Sequence, residues 1–146
     1  MKIGFAMGPI LRWTAVLAAL PTLALAADQH PHAGVPFIPT PPTVVDAMLE
    51  LAGVGPSDFI IDLGSGDGRI VIAAAKKKGA RGFGVEIDGE LVQTARRTAQ
   101  REGVAGRGEF KVEDLFGTEV GRATVIAMVI YPRAMLQLGP RLFPGL

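Results

Sequence analysis

The chain has 146 residues, of which 20% are charged, and a formal net charge of +1. It contains no cysteine, which excludes a disulfide framework and a thiolate metal site. The sequence has no long block of like charge, so we expect neither nucleic acid nor an acidic surface as a partner. This length corresponds to one domain.

Residues 1–26 predict a signal peptide. Two basic residues precede the stretch 14–26, which is almost wholly apolar. Ala24-Leu25-Ala26 fits the small-x-small pattern that places a cleavage site before Ala27. The apolar run is short for a membrane span, although an uncleaved anchor and a misassigned start codon remain open. We therefore expect an exported domain.

Residues 27–42 form a proline-rich segment that should be extended. It carries His30 and His32, the only histidines of the chain. These two side chains could bind a metal, but we favour a solvated chain terminus. The sequence thus indicates no metal site.

Residues 43–146 alternate between helical and strand patterns. A helix capped by Thr43 ends at Gly53 and is followed by a short buried strand. The remaining elements are, in order, helix, strand, helix, strand, strand and helix, the last one broken near Gly139-Pro140. The predicted bounds from the first strand onward are 59–63, 68–78, 81–87, 88–103, 109–113, 123–130 and 132–143. This alternation predicts an α/β fold with a doubly wound, Rossmann-like parallel sheet.

A glycine-rich turn, DLGSGDG at 62–68, follows the first strand. Ligands of open α/β sheets bind at the carboxyl ends of the strands, where glycines allow close approach of the backbone. The spacing is G-x-G-x-G rather than the G-x-G-x-x-G of dinucleotide sites. Asp62 suits a pyrophosphate poorly but suits an α-amino group, which S-adenosylmethionine (SAM) has and NAD lacks.

Two further acids follow the next two strands. Glu86 ends the second strand, where a carboxylate can bind ribose hydroxyls, and Asp114 follows the third, where it can accept from an adenine amino group. Glu86 could also be a solvated strand end, and Glu113 could replace Asp114. Acids at three successive strand ends together indicate an adenosyl ligand with an amino group.

These motifs resemble those of class I SAM-dependent methyltransferases: DLGSGDG at 62–68, VEID at 85–88 and EDLF at 113–116. A narrower resemblance adds PFIPTP at 36–41 and the continuation RIVIAAA after the glycine turn. It points to a family whose eukaryotic members are mitochondrial protein-lysine methyltransferases, and which has bacterial relatives.

The resemblance implies that SAM is the cofactor. Asp62 and the glycine turn would hold its methionine part, Glu86 its ribose and Asp114 its adenine. Thr40 would lie over the pocket, or else be a turn residue of the proline-rich segment. The full set of implied cofactor-binding residues is Thr40, Asp62, Gly64, Ser65, Gly66, Asp67, Glu86, Ile87, Asp114 and Leu115.

Methyl transfer is an in-line displacement in which the protein mainly aligns a nucleophile and excludes water. The candidate catalytic residue is Tyr131, which follows the fourth strand at the rim that faces the methyl group in this fold. It could instead be a packing residue at a helix entry. Many amino-methylating relatives carry an acidic or amide residue at this place, and here it is missing.

Residues 142–146 resemble the turn that precedes the fifth strand of these enzymes. We therefore expect an incomplete domain without the last strands, whose fourth strand is a sheet edge that an oligomer could cover. The predicted function is a SAM-dependent methyltransferase acting on an acceptor such as a protein lysine. The alternatives are a non-catalytic SAM-binding fragment and an NAD(P)-binding oxidoreductase.

Overall fold

The computed structural model describes residues 36–143. The predicted signal peptide and both histidines lie outside this range, as do the last three residues. Within residues 36–143, no helix has the length and apolar character needed to cross a membrane.

Helices and strands alternate in the predicted order, with one helix ahead of the first strand. The second helix continues as a π-helical turn over Ala74–Lys78. The elements are α1 Pro42–Leu51, β1 Phe59–Leu63, α2 Arg69–Ala73, β2 Arg81–Glu86, α3 Gly89–Arg101, β3 Gly108–Val112, β4 Val125–Ala127 and α4 Pro132–Leu142.

The four strands form one parallel sheet in the order β3-β2-β1-β4. Asp62 of β1 lies level with Gly84 of β2 on one side and with Ala127 of β4 on the other. Because all the strands run the same way, their carboxyl ends meet at one edge of the sheet. The predicted α/β fold with a parallel sheet is therefore confirmed.

Both faces of the sheet are covered by helices, as a doubly wound fold requires. Ile60 and Ile61 are neighbours in β1 and point to opposite faces, because side chains alternate along a strand. On the face of Ile60 lie α1, α2 and α3, which contribute Val45, Leu49, Ile70, Val71, Val92, Ala95 and Ala99 to the core. Leu138 of α4 packs on the face of Ile61.

Helix α3 begins as the sequence predicts. The Asp88 carboxylate accepts hydrogen bonds from the backbone N–H of Glu90 at 2.8 Å and of Leu91 at 3.3 Å. These bonds satisfy donors that the first turn of a helix leaves without partners. Gly103 follows the helix with a φ of +72°, a conformation that glycine adopts without strain.

Two predicted helix boundaries are wrong. Thr43 is not an N-cap: α1 begins one residue earlier, at Pro42, and Pro41 precedes it without any side-chain cap. Proline suits the first helical position because its fixed φ is already helical and its missing N–H is not needed there. Nor is α4 broken near Gly139, since it continues through Pro140 to Leu142. Pro140 lies in the exposed last turn, where water can reach the carbonyl that loses its helical partner.

Strand β4 is shorter than predicted. It pairs with β1 over Val125–Ala127, whereas the apolar run predicts a strand over 123–130. Val129 is 48% exposed, so the run is not buried on both faces. Among the described residues, β4 pairs on one side only. Self-association through this edge stays a prediction.

Candidate functional site

The glycine-rich turn is held against the end of β2. The backbone N–H groups of Gly64 and Ser65 both donate to the Val85 carbonyl oxygen, at 3.0 and 2.9 Å. The turn can bend this tightly because Gly64 and Gly66 have φ values of +82° and +53°. The first strand therefore leads directly into a tight turn at the carboxyl edge of the sheet.

Two of the glycines allow neighbouring segments to pack directly on the turn, because they have no side chain. A Cβ atom at Gly66 would lie 2.2 Å from Cε2 of Phe37, whose ring rests on the turn. A Cβ atom at Gly64 would lie 2.9 Å from Cγ2 of Ile130, which follows β4. Any larger residue would displace one of these neighbours, so the turn is packed between the proline-rich segment and the end of β4.

The third glycine of the turn, Gly68, allows close packing in the hydrophobic core. A Cβ atom at Gly68 would come within 2.5 Å of the Phe110 ring and 2.8 Å of the Ala95 Cβ. Both neighbours belong to the hydrophobic core, so Gly68 allows the start of α2 to pack closely against α3 and β3.

Asp62 lies buried near the end of β1. Its side chain is 1% exposed, and neither carboxylate oxygen has a hydrogen-bond partner among the described residues. Burial, reinforced by the negative charges of Glu86 and Asp67, raises the pKa of Asp62 to about 7. A buried carboxylate without partners is unfavourable, which makes this point of the site ready to receive a cationic donor. The buried hydroxyl of Ser65 also has no partner among these residues.

Glu86 lies beside the glycine turn. Its Oε2 accepts from the Gly66 N–H at 3.1 Å, and its Oε1 accepts from the N–H groups of Ile87 at 2.7 Å and Asp88 at 3.1 Å. The carboxylate is thereby fixed at the end of β2. A carboxylate oxygen can accept more than one hydrogen bond, so the group can still bind hydroxyl donors.

Asp67 and Thr40 meet through Arg69. The Arg69 guanidinium donates to both Asp67 carboxylate oxygens, at 2.9 and 2.6 Å, and its Nη1 donates to the Thr40 carbonyl oxygen at 2.7 Å. Thr40 thus reaches the site through its backbone. The Asp67 carboxylate is engaged by Arg69 and orients that side chain.

Asp114 and Leu115 form the third part of the site. The Asp114 Oδ1 accepts from the Phe116 N–H at 2.9 Å, which closes a turn directly after β3. The Leu115 Cδ2 lies 3.7 Å from the position that a Cβ atom of Gly64 would occupy. The loop after β3 therefore lies against the glycine turn.

Tyr131 lies at the outer rim, ahead of α4. Its side chain is 46% exposed, and its hydroxyl donates to the Pro36 carbonyl oxygen at 3.2 Å. The predicted catalytic residue is thus joined to the proline-rich segment that crosses the glycine turn. Its catalytic role stays a prediction.

The structure brings the predicted site residues to one edge of the sheet, from segments far apart in the chain. Sequence analysis assigned no role to Phe37, Arg69 or Ile130, which also build the site. Arg69 offered a signal, because a cation at the start of a helix is electrostatically unfavourable and needs a reason. Phe37 and Ile130 offered no such signal, since apolar residues are common in any core.

Comparison with known proteins agrees with this geometry. The model of the ANTKMT methyltransferase domain family matches residues 62–146. A protein-lysine N-methyltransferase of Saccharolobus islandicus is 40% identical over 113 residues, which are 77% of this chain and 69% of that protein. A human lysine N-methyltransferase, named for its action on an ATP synthase subunit, is 36% identical over 108 residues. That match covers 74% of this chain but 46% of the human protein, so the chain spans less than half the length of this relative.

Solved structures show the same fold. A crystal structure described as an RNA methyltransferase from Salinibacter ruber, in complex with S-adenosylhomocysteine, is 51% identical with a TM-score of 0.72. The match covers 73% of this chain and 70% of that chain. A SAM-dependent methyltransferase from Thiobacillus denitrificans, also with S-adenosylhomocysteine, is 26% identical with a TM-score of 0.61, covering 68% and 40% of the two chains.

The residues present fit SAM on their own chemistry. The unpartnered buried carboxylate of Asp62 suits an amino group, Glu86 suits a diol, and the glycine turn lies between them in the sequence. The family match covers more than half of the chain, and these features agree with it. The chain belongs to the ANTKMT methyltransferase domain family and is a class I, SAM-dependent methyltransferase.

Proposed function

We propose that this methyltransferase acts on the side-chain amine of a protein lysine. The proposal is supported by relatives from an archaeon and from vertebrates, which are named as lysine N-methyltransferases. The identity of 40% with the archaeal protein extends over most of both chains. The balanced charge of this chain gives no reason to favour a nucleic acid acceptor.

One observation carries the cofactor part of the proposal: the buried, unpartnered carboxylate of Asp62 beside the glycine turn. We propose that this carboxylate binds the α-amino group of SAM and that Glu86 binds the ribose hydroxyls. Asp114, in the loop after β3, would accept from the adenine amino group. Bound SAM supplies an electrophilic methyl group on its sulfonium.

The chain's own residues then have two tasks: to orient the acceptor amine and to keep water away. The Phe37 ring on Gly66 covers the glycine turn and shields it from solvent. The Tyr131 hydroxyl donates a hydrogen bond to the Pro36 carbonyl oxygen. The lone pairs of the hydroxyl oxygen therefore remain able to accept a hydrogen bond from a lysine N–H at the rim. Because a protonated amine is no nucleophile, entry into this partly apolar rim would favour the neutral amine.

The test is transfer of labelled methyl groups from SAM to the macromolecules of an extract from the organism that carries the gene. After incubation with the purified chain, one portion is treated with protease and another with ribonuclease. Acid hydrolysis of labelled protein should yield ε-N-methyl-lysine, and Glu86→Gln should strongly reduce the labelling when SAM is limiting. Glu109→Gln is the matched control, because Glu109 is an exposed residue of β3 outside the site.

The result separates the acceptor classes. Label that survives ribonuclease and appears as methyl-lysine supports the proposal. Label that ribonuclease removes would overturn it and assign an RNA acceptor, as the description of the Salinibacter ruber protein states for that enzyme. Methyl groups on another amino acid would keep a protein acceptor but exclude lysine.

We further propose that the domain is exported by residues 1–26. The support is the sequence pattern alone, a basic start and an apolar stretch ahead of a small-x-small motif. Expression of the full chain in a bacterial host followed by mass spectrometry of the product tests this. A mature chain that begins at Ala27 and lies outside the cytoplasm is expected, and a full-length chain in the cytoplasm would contradict export.

A further inference from the structure

A short segment crosses the glycine turn and is fixed at both of its ends. We call residues 36–41 the strap. At one end the Tyr131 hydroxyl donates to the Pro36 carbonyl, and at the other Arg69 donates to the Thr40 carbonyl. Between these bonds the Phe37 ring rests on Gly66. The strap has no regular secondary structure of its own, so these contacts determine its position.

Arg69 occupies an electrostatically unfavourable place. It is the first residue of α2, where the helix dipole favours anions, and the first turn of that helix contains no acidic residue. Its guanidinium turns back from the helix and bonds to the Asp67 carboxylate and to the Thr40 carbonyl at the same time. The planar guanidinium group has several N–H donors in a fixed arrangement, so it can bond to both acceptors at once. A lysine ammonium, on a flexible side chain, would hold the two acceptors less rigidly.

We infer that Arg69 is a positioning residue for SAM: it ties the strap to the glycine turn and so holds the outer wall of the cofactor site. The inference rests on the assignment of SAM as cofactor, but it is independent of the identity of the acceptor. Arg69 acts through Thr40 and Asp67 and need not touch the cofactor. Tyr131 provides the second attachment of the same strap.

The contacts give the inference a physical basis. Both bonds of Arg69 to Asp67 are charge-assisted and therefore hold the guanidinium in one orientation. The Phe37 ring lies on the backbone of Gly66, in the turn that follows the unpartnered carboxylate of Asp62. Holding the strap therefore keeps the glycine turn covered, and releasing the strap would open this side of the site to solvent.

Calorimetric titration of the full chain with S-adenosylhomocysteine tests the inference. Arg69→Met should weaken binding by about tenfold to a hundredfold, the usual range when a charge-assisted hydrogen bond is removed. Tyr131→Phe retains the ring and loses only the hydroxyl, so it should weaken binding by about fivefold, as loss of a neutral hydrogen bond does. Arg97→Met is the matched control, because Arg97 is exposed on α3 and donates to Thr94 of the same helix, away from the strap. It should bind like the wild type.

Limited proteolysis gives a second readout that a general loss of stability would not reproduce. Chymotrypsin can cleave after Phe37, and mass spectrometry identifies the product that begins at Ile38. Saturating S-adenosylhomocysteine should protect this bond in the wild type and in Arg97→Met. In Arg69→Met the protection should be lost while the thermal unfolding temperature stays close to that of the wild type.

The outcomes are distinguishable. If the wild type binds the ligand and both strap variants bind it equally well, with the same protection at Phe37, the inference is wrong and the cofactor assignment stands. If the folded wild type does not bind the ligand, the cofactor assignment itself fails. If Arg69→Met unfolds, Tyr131→Phe decides, because its exposed hydroxyl can be removed without disturbing the core.

Discussion

The Glu86 carboxylate accepts a hydrogen bond from the backbone N–H of Gly66, with 3.1 Å between oxygen and nitrogen. The bond joins the end of β2 to the middle of the turn that follows β1. The other carboxylate oxygen accepts from two backbone N–H groups directly after β2. The carboxylate is therefore oriented before a ligand binds, so less conformational entropy is lost on binding.

Glu86→Gln should lower the affinity for S-adenosylhomocysteine by about tenfold to a hundredfold, since it removes a charged acceptor for the ribose hydroxyls. The amide oxygen can accept either from Gly66 or from Ile87 and Asp88 but not from both sides, so we expect a modest loss of stability with the fold retained. Calorimetry measures the affinity, and circular dichroism monitors the fold. Glu109→Gln, on the exposed side of β3, should change neither quantity. Unchanged binding in Glu86→Gln would remove Glu86 from the site.

Cofactor affinity should rise with pH up to about 7. The pKa of Asp62 is raised to about 7, mainly by burial, so below that pH the free protein carries a neutral carboxyl group there. Binding an amino cation favours the ionised form and should release a proton below pH 7. The affinity should fall by up to about tenfold for each pH unit below 7 and level off above it.

Calorimetry between pH 5.5 and 8, in two buffers of different ionisation enthalpy, measures both the affinity and the released proton. Asp62→Asn has no titrating group at this position, so its weaker binding should not vary over this range. A wild-type affinity that is flat between pH 5.5 and 8 would mean that Asp62 does not face the amino group.

Asp62 should also make the free protein less stable at high pH. In the unfolded chain this carboxyl group ionises near its ordinary pKa of 3.8, whereas in the folded chain it stays protonated up to about 7. Unfolding therefore releases a proton between these values, and stability falls as the pH rises through them. The loss reaches up to about 4 kcal/mol above pH 7 if the whole shift is expressed.

Urea unfolding at pH 5 and at pH 8.5 measures this effect. Asp62→Asn should be more stable than the wild type at pH 8.5, and the difference should shrink at pH 5. Equal pH dependence in the two proteins would assign the instability to other groups. The variant should at the same time bind S-adenosylhomocysteine more weakly, so stability and ligand binding move in opposite directions.

Replacing single glycines by alanine should separate the cofactor site from the fold. Gly68→Ala places a methyl group against Phe110 and Ala95 and should destabilise the protein by about 2 kcal/mol or more. Gly66→Ala meets the movable ring of Phe37 and should mainly weaken ligand binding. Gly53 has a φ of +61° and, its two chain neighbours aside, no described residue has a heavy atom within 4 Å of the position that a Cβ atom would occupy there. Gly53→Ala therefore measures the cost of backbone strain alone, about 1 kcal/mol.

Urea unfolding and calorimetric titration of the three variants provide the comparison. The expected order of stability places Gly68→Ala lowest, and Gly53→Ala should retain the wild-type affinity. If Gly66→Ala binds as tightly as Gly53→Ala, the Phe37 ring does not contribute to the cofactor site.

Strand β1 and the cap of α3 were predictable because their signals are local. A short run with four apolar residues, bounded by turn residues, specifies Phe59–Leu63, and the Asp88 carboxylate accepts hydrogen bonds from the first turn of α3. The three acids at strand ends were predictable for a related reason, since a parallel sheet places successive carboxyl ends at one edge.

Contacts between distant segments could not be predicted in the same way. The strap bonds join Pro36 to Tyr131 and Thr40 to Arg69, and no periodicity encodes a hydrogen bond to a backbone carbonyl. The extent of β4 was overestimated because apolar character continues beyond the residues that pair with β1. Hydrophobic pattern indicates which residues can be buried, whereas the neighbouring strand determines how far the ladder extends.

Arg141 joins α4 to the loop that follows β3. From α4, its guanidinium donates to the backbone carbonyls of Phe116 and Thr118, which lie in the loop that begins with Asp114. This loop, which we propose lies on the adenine side of the site, is therefore held by a helix that packs on the face of the sheet opposite α1, α2 and α3. A displacement of α4 would therefore be transmitted to this loop through the two hydrogen bonds of Arg141.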